Sequence, residues 1–216
     1  SEQFKIRRYG AHGTSHKYLS EKGDAYCENG KDRMIICHLG SGASITATNH
    51  GKCVATSMGL TPLGGIMMGT RTGDLDPSVF NYCVSQTGKT SEQIYQEFNK
   101  KSGLLGVSGI SSDARDIIEA CNKGDKRAIL ASKLWARRVA DFIGQYYVRL
   151  GGCDLIIFSA GIGENSAEFR KLALDNIKEA FNVKIDEVKN NETHGIENVI
   201  STPDSAIKVV VIPTDE

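Results

Sequence analysis

The stretch HLGSGAS, residues 38–44, joins two apolar runs and organises the chain around it. It follows MIIC (34–37) and leads directly into ITAT (45–48). Two strand-like runs joined by a glycine turn predict a hairpin. Gly40 and Gly42 have no Cβ, so a ligand can approach their backbone closely. Clustered N–H groups in such a turn form an anion nest, and a phosphate is its natural guest.

The side chains of the same turn add donors, but the pattern alone leaves two hypotheses open. Ser41, Ser44 and His38 supply hydroxyl and ring donors. The turn is not a Walker A loop, because no lysine follows and the next element reads as a strand. A tight hairpin whose glycines serve only backbone geometry explains the pattern equally well.

Composition limits the class of protein. The chain has 216 residues, 40% hydrophobic, with 26 basic and 26 acidic side chains and a formal net charge of zero. That balance gives no electrostatic case for binding nucleic acid or an anionic membrane. No apolar run reaches the ~18–20 residues of a membrane helix, and the first residues lack the apolar core of a signal peptide. Six scattered cysteines without a C-x-x-C pair indicate reduced thiols in a cytosolic protein.

Hydrophobic periodicity and capping signals predict alternating strands and helices. The predicted strands are 4–9, 33–38, 43–48, 52–57, 155–158, 182–186 and 207–212. The first predicted helix runs from a cap at Thr14 or Ser15 to about Glu21, and the second from an Asp76 cap to Ser85. The third runs from a Thr90–Gln93 capping box to a C-cap at Gly103. The remaining predicted helices cover 113–122, 125–150 and 166–180. In the longest helix, Ile129, Leu130, Leu134, Val139, Phe142 and Ile143 form the predicted apolar stripe. This order predicts an α/β domain with a mixed sheet.

A second glycine motif, LIIFSAGIGENS (155–166), follows the most apolar strand. We expect a buried strand, a glycine loop and then a helix, whose N-terminal N–H groups and positive dipole end point at the loop. Gly161 and Gly163 leave the backbone open to a ligand at the carboxyl end of the strand. The alternative is a simple helix entry capped by Asn165 or Ser166.

Two further stretches carry polar side chains in glycine-rich surroundings. In TSMGLTPLGGIMMGTRTGDLDP (56–77), Arg71 offers a fork for carboxylate or phosphate, or else pairs with Asp74 or Asp76. In RRYGAHGTSHKY (7–18), His12 and His16 are four residues apart, but no third metal ligand is evident, so a zinc site is rejected. His12 is then either a functional donor or a turn histidine bonded to nearby backbone.

Six motifs together resemble the acetate kinase family over essentially the whole chain. They are RRYGAHGTSH, HLGSGAS, TSMGLTPLGGIMMGTRTGDLDP, VSGISSDARD, FSAGIGENS and VVVIPTDE, in that order. The resemblance implies the mixed-sheet nucleotide-binding domain of the superfamily that joins acetate and sugar kinases, actin and heat-shock chaperones (the ribonuclease H-like type). It also implies that residues 1–216 are the C-terminal nucleotide-binding and dimerisation domain, with a separate N-terminal domain holding other essential residues.

The resemblance also assigns roles to positions that match the family's motifs. His12 resembles the histidine that stabilises the phosphoryl group in transit, and Arg71 the arginine that positions it and the carboxylate. The implied nucleotide-binding residues are His38, Leu39, Gly40, Ser41 and Gly42 at the phosphates, Asp113, Ala114 and Arg115 at the adenosine, and Gly161, Ile162, Gly163, Glu164 and Asn165 along the pocket. Glu216 resembles a carboxylate near magnesium.

The implied reaction is reversible phosphoryl transfer from ATP to acetate, giving ADP and acetyl phosphate, with Mg²⁺ as cofactor. A propionate or butyrate kinase of the same family is the alternative, because Ala11 stands where many members have phenylalanine. A third hypothesis is a nucleotide-binding module that is inactive without the N-terminal domain. We expect ATP or ADP and a short-chain carboxylate as ligands, a cytoplasmic homodimer, and neither nucleic acid nor membrane as partner.

Overall fold

The computed structural model describes residues 2–27, 30 and 32–215. The strands, in chain order, are β1 (Met34–Leu39), β2 (Ala43–Asn49), β3 (Lys52–Thr56), β4 (Leu155–Ser159), β5 (Asn198–Val199) and β6 (Lys208–Val211). The α-helices are α1 (Gly13–Gly23), α2 (Pro77–Thr87), α3 (Ser91–Lys100), α4 (Gly103–Ser108), α5 (Ala114–Asn122), α6 (Lys126–Leu150), α7 (Ala160–Asn165), α8 (Ala167–Asp175), α9 (Lys178–Phe181) and α10 (Glu187–Glu192). A 3₁₀ turn, Asp24–Tyr26, follows α1.

The strands form one mixed sheet in the order β3-β2-β1-β4-β6-β5, which confirms the predicted fold class. The pair β1–β2 is antiparallel, as are β2–β3 and β5–β6, whereas β1–β4 and β4–β6 are parallel. Every residue of β1 and β4 is buried. Such continuous apolar strands are typical of a sheet covered on both faces.

The two faces of the sheet pack into separate cores because side chains alternate along each strand. In β1, Ile35 and Cys37 belong to the larger core, which also contains residues of α6. Met34 and Ile36 belong to the smaller core, which also contains Leu19 of α1. The sheet is therefore held rigidly between helices, and its carboxyl edge is a fixed platform.

Local capping chemistry sets several helix ends as predicted. Asp76 accepts a hydrogen bond from the Ser78 N–H at the start of α2. Thr90 and Gln93 form the reciprocal capping box of α3. The long α6 begins after Asp125 and ends at Gly151, whose φ of 66° closes the helix in the left-handed region.

Four predicted elements were wrong in part. Residues 4–9 form turns and coil rather than a strand, and Arg8 instead holds this segment through bonds to three backbone carbonyls, of residues 56, 57 and 58. The predicted strand 182–186 is reduced to a single bridge between Ile185 and Ser201. Gly103 begins α4 instead of ending α3. The helix expected over 166–180 breaks between α8 and α9, where Ile177 is buried.

Two finer predictions also differ. The helix α1 begins at Gly13 with His12 at its N-cap, and that position makes no side-chain cap bond, so neither Thr14 nor Ser15 caps it. In α6, Leu130 is 51% exposed, because the buried stripe begins with Ala131 and Trp135, whereas Val139, Phe142 and Ile143 are buried as predicted. All six cysteines are free thiols. Among the helices of the described residues, none combines the length and apolar character needed to cross a bilayer.

Candidate functional site

Two glycine segments project from the carboxyl ends of neighbouring parallel strands. In the sheet, His38 of β1 pairs with Ser44 of β2 on one side and with Ser159 of β4 on the other. The turn after β1 is tight, with the Gly40 N–H donating to the Gly42 carbonyl at 3.2 Å. The helix α7 starts directly after β4. Open α/β sheets bind ligands at this edge, where connections diverge.

His12 and Arg71 meet at the turn between β1 and β2. A Cβ on Gly42 would lie 3.2 Å from Arg71 Nη1 and 3.7 Å from His12 Nε2. Both side chains reach the turn from distant segments, one at the start of α1 and the other in the glycine-rich loop. The absence of a side chain on Gly42 is what lets a cation and a ring converge on the backbone there.

Arg71 is not held in the ion pair that the sequence left open. Its Nη1 donates to the Pro62 carbonyl at 3.2 Å. Asp74 instead accepts from the Gly65 N–H, and Asp76 caps α2. Within residues 2–27, 30 and 32–215, no carboxylate forms a salt bridge with Arg71, so the guanidinium retains charge for an anion.

A cluster of three histidines lies beneath the turn. The rings of His12 and His38 stack with centroids 4.1 Å apart. Ser44 Oγ lies 2.8 Å from His12 Nδ1 and 2.7 Å from His16 Nε2, while Ser15 Oγ lies 2.8 Å from His38 Nδ1. Burial, together with the other rings, lowers the pKa of His16 to about 3 and that of His38 to about 4. Both rings are therefore neutral at neutral pH.

A cleft of about 630 Å³ opens beside the turn, against α5 and α7. Eight of the predicted nucleotide-binding residues line it, namely Gly40, Ser41, Asp113, Ala114, Arg115, Gly161, Ile162 and Asn165. Its volume falls in the range typical of small-molecule sites. The structure thus brings together three motifs that are spread over more than 100 residues of sequence, and their ligand-binding roles stay predictions.

The cleft also has five lining residues that were not among the predicted nucleotide-binding residues. They are Ser112, Ile118, Ser166, Glu168 and His194. Ser112 and Ser166 adjoin predicted motifs, so they were within reach of the sequence pattern. His194 carried no signal, because it arrives from the loop after α10, where its Nδ1 lies 3.0 Å from the Asn165 carbonyl.

Two predicted binding residues lie inside the protein instead of lining the cleft. Leu39 is fully buried in the larger core, and Gly163 is a buried residue of α7. A Cβ on Gly163 would be 3.4 Å from the backbone of Phe158 and 3.6 Å from the Cys37 carbonyl. Both are ordinary van der Waals distances, so α7 lies in contact with the sheet at Gly163 and an alanine would fit there. His38 and Gly42 belong to the histidine and arginine cluster rather than to the cleft wall.

The segment expected as a glycine loop is the short helix α7, and Glu164 explains its geometry. Ala160 has a φ of 62°, an unfavourable conformation for a residue with a Cβ. Glu164 Oε1 accepts from the Ala160 N–H at 2.7 Å and from the Thr214 N–H at 2.9 Å. Glu164 is therefore a clamp between α7 and the segment after β6, and it does not line the cleft. The predicted magnesium residue Glu216 lies outside the described residues.

Asp113 and Arg115 form the charged rim of the cleft. Asp113 caps α5 by accepting from the Arg115 N–H at 2.9 Å, and its carboxylate pairs with the Arg115 guanidinium at 2.6 Å. These bonds lower the pKa of Asp113 to about 2. The Arg115 side chain is 90% exposed and is held at the rim by its pairing with Asp113.

A buried arginine supports the cleft from behind. Arg170 is 1% exposed and donates to Gly163 and Glu164 carbonyls of α7. Its other nitrogens donate to the side chain and carbonyl of Asn190 and to the carbonyl of Thr193. Burial lowers the pKa of Arg170 to about 10, so it remains a cation. The Arg170 side chain thus joins α7 to the segment just before His194, which lines the cleft.

The glycine-rich segment that carries Arg71 is packed backbone against backbone. Gly103, at the start of α4, has a φ of 62°, and a Cβ there would overlap the carbonyl of Met68. The Leu104 N–H donates to that same carbonyl at 2.9 Å. This contact fixes the chain just before Arg71 and so fixes the direction of its side chain.

The described residues contain no group of three or more histidine, cysteine, aspartate or glutamate side chains arranged to hold a metal ion. The three histidines beneath the turn bond to serine hydroxyls, as given above. The predicted Mg²⁺ is therefore not matched by a ligand set in the part of the chain that the structure describes.

The architecture and site define an α/β domain of the superfamily that joins acetate and sugar kinases, actin and heat-shock chaperones. The chain matches the acetokinase family over residues 1–216. It is 50% identical over 217 residues to an acetate kinase from Bacillus subtilis, covering 100% of this chain and 54% of that protein. The chain therefore belongs to the acetokinase family, and it spans about half the length of the curated relatives it matches.

Solved structures agree with this assignment. The crystal structure of Porphyromonas gingivalis acetate kinase superposes with a TM-score of 0.93 at 40% identity, over 99% of this chain and 54% of that one. A propionate kinase from Francisella tularensis superposes with a TM-score of 0.91 at 41% identity, over the same shares of the two chains.

Proposed function

We propose that this chain is the nucleotide-binding and phosphoryl-stabilising part of an acetate kinase. The reaction is ATP plus acetate to ADP plus acetyl phosphate, in both directions. The observation that carries the proposal is the convergence of His12 and Arg71 on Gly42, beside a cleft lined by the turn, α5 and α7. Membership of the acetokinase family supplies the reaction class.

The chemistry asks for positioning and charge stabilisation. A carboxylate is ionised at neutral pH, so no general base is needed to activate it. One carboxylate oxygen forms a bond to the γ-phosphorus, and the bond from that phosphorus to the β-phosphate bridging oxygen breaks. Arg71 and His12 hydrogen-bond the oxygens of the transferring group and offset its negative charge. No proton changes hands.

The nucleotide lies in the cleft beside this pair. Gly40 and Ser41 face its phosphates, and the rim of Asp113 and Arg115 faces its adenosine. Gly161 is exposed, and a Cβ on it would meet nothing within 4 Å, so the wall there is open to a large base. Mg²⁺ enters as the ion that accompanies ATP.

A propionate or butyrate kinase is the alternative, supported by the structural likeness to a propionate kinase. Ala11, which packs against the larger core next to His12, is a small side chain. A panel of acetate, propionate and butyrate, assayed with the whole enzyme, separates the two hypotheses. If kcat/KM is highest for propionate, then propionate and not acetate is the preferred substrate.

A homodimer is part of the same proposal. The helix α2 has no buried residue, and its Val79 and Tyr82 are 37% and 65% exposed. An apolar face of this kind is a natural contact for a second copy. Mass measurement in solution distinguishes the 23.4 kDa monomer from a dimer, and Tyr82→Glu is expected to shift a dimer towards monomer.

Calorimetric titration with Mg-ATP tests the nucleotide site. We expect saturable binding that Gly161→Gln abolishes, since the new side chain fills the cleft without a clash in the fold. The matched control is Gly59→Gln, at another glycine with open space and outside the cleft. Absence of binding by a folded chain, or equal binding by both variants, would refute the cleft assignment. Binding without turnover of acetate would identify the chain as a module that needs the rest of the enzyme.

A further inference from the structure

A buried chain of hydrogen bonds links His16 to His12 through Ser44. The Ser44 hydroxyl is fully buried, 2.7 Å from His16 Nε2 and 2.8 Å from His12 Nδ1. Among the described residues, Ser44 Oγ has hydrogen bonds to these two rings alone, so its single proton is donated to one ring and it accepts from the other. Two directions are possible, and each gives His12 a different tautomer.

The far side of the His16 ring selects the direction. His16 Nδ1 is buried and has no hydrogen-bond partner among the described residues. If Ser44 donated to His16, the neutral His16 ring would carry its proton on Nδ1, as an orphaned donor. If His16 donates from Nε2, only a lone pair is left unpaired at Nδ1. Orphaned buried N–H groups are rarer than under-satisfied acceptors.

We propose that His16 and Ser44 are positioning residues that fix the tautomer of His12. The His16 Nε2–H donates to Ser44 Oγ, and the Ser44 hydroxyl donates to His12 Nδ1. A His12 ring that accepts at Nδ1 carries its proton on Nε2, the atom that faces Gly42 and Arg71. His12 is thereby set as a donor towards an anion at the turn. That last step rests on the proposed function.

The neutral state of His16 is consistent with this direction, because burial lowers its pKa to about 3. A protonated His16 would have to place a second N–H at the unpartnered Nδ1. The i, i+4 spacing of the two histidines therefore serves a proton arrangement through Ser44 and not a metal site.

Long-range ¹H–¹⁵N NMR of the ¹⁵N-labelled chain at pH 7.5 reads the tautomer of each ring directly. The chain has five histidines, which single substitutions assign. We expect the proton on Nε2 of both His12 and His16. A proton on Nδ1 of either ring would overturn the proposal. No nucleotide is present, so this result is independent of whether the cleft binds ATP.

Three variants separate a positioning role from simple packing. In His16→Gln, the amide N–H replaces the Nε2 donor, so the His12 signals should match those of the unsubstituted chain. In His16→Phe and Ser44→Ala the donor chain is lost, and the His12 Nδ1 signal should move towards that of a tautomer-averaged imidazole. Unchanged His12 signals in both donor-lacking variants, or equal changes in His16→Gln and His16→Phe, would refute the proposal. If one variant fails to fold, the remaining two decide the question.

Discussion

Arg170→Met tests the support behind the cleft, and the structure sets its magnitude. Arg170 donates to five acceptors. Two of these also accept a backbone N–H, the Glu164 carbonyl from Gly195 and the Asn190 carbonyl from Thr193. The other three depend on Arg170 within the part of the chain that the structure describes. A buried acceptor left unpaired costs about 1–3 kcal/mol, so three give about 3–9 kcal/mol.

Two effects reduce that sum. Methionine removes the cost of burying a cation, and the segment after α10 can relax towards water. We therefore expect Arg170→Met to lower the free energy of unfolding by about 3–5 kcal/mol, the lower part of that sum. Because Arg170 holds α7 in place, the dissociation constant for Mg-ATP should also rise.

Urea denaturation followed by tryptophan fluorescence measures the loss, since Trp135 is the single tryptophan and is fully buried. The control is Arg138→Met, which removes an arginine with 38% side-chain exposure that pairs with Asp141 across one helix turn and lies 5.7 Å from the centre of the Phe142 ring. Such surface pairs contribute about 0–1 kcal/mol. A loss below about 1 kcal/mol in Arg170→Met, or equal losses in the two variants, would refute the role assigned to Arg170.

Two further predictions follow from strain and from titration. Gly103→Ala should lower the free energy of unfolding by about 3 kcal/mol or more, because a Cβ there overlaps the Met68 carbonyl. Gly124→Ala, also at positive φ but in open space, should lower it by about 1–2 kcal/mol. Equal losses of the two variants in urea denaturation would contradict this. The folded pKa values of His16 and His38, about 3 and about 4, lie below the unfolded 6.5. The stability that these two neutral rings contribute is present above pH 6.5 and is lost as the pH falls towards 4. The free energy of unfolding then falls by at most about 1.4 kcal/mol per pH unit for each ring. His16→Gln should reduce that slope, and a free energy of unfolding that is constant over this range would be contrary to the assignment.

Local signals predicted the elements whose causes are local. The two hairpins of β1, β2 and β3 follow from alternating strands and short turns, and the caps at Asp76 and Thr90 follow from side chains that bond within three residues. The mixed sheet followed from element order. The convergence of the turn, Arg115 and Gly161 on one cleft agreed with the resemblance, because each segment leaves the same edge of the sheet or packs over it.

The missed features depend on partners that are distant in sequence. Arg170 carries no sign of burial in the sequence, since its acceptors are backbone carbonyls that any residue supplies. Glu164 closes α7 by reaching Thr214, 50 positions later. The i, i+4 spacing of His12 and His16 raised the question of a metal site, which the sequence rejected. In the structure the two rings are linked through the hydroxyl of Ser44, which lies in β2.

The strand order has a consequence for how the chain folds. The strands β1, β2 and β3 are successive neighbours in the sheet, so they can pair across short loops. By contrast β4 pairs with β1 only after more than 100 intervening residues, including the whole of α6, and such non-local pairing is slow to form. One wall of the cleft therefore follows β1, in the meander of β1, β2 and β3 that can form early in folding. The other wall follows β4, which joins the sheet later. Nucleotide affinity during refolding should accordingly appear with the docking of β4 and α7, after most of the helical signal has already returned.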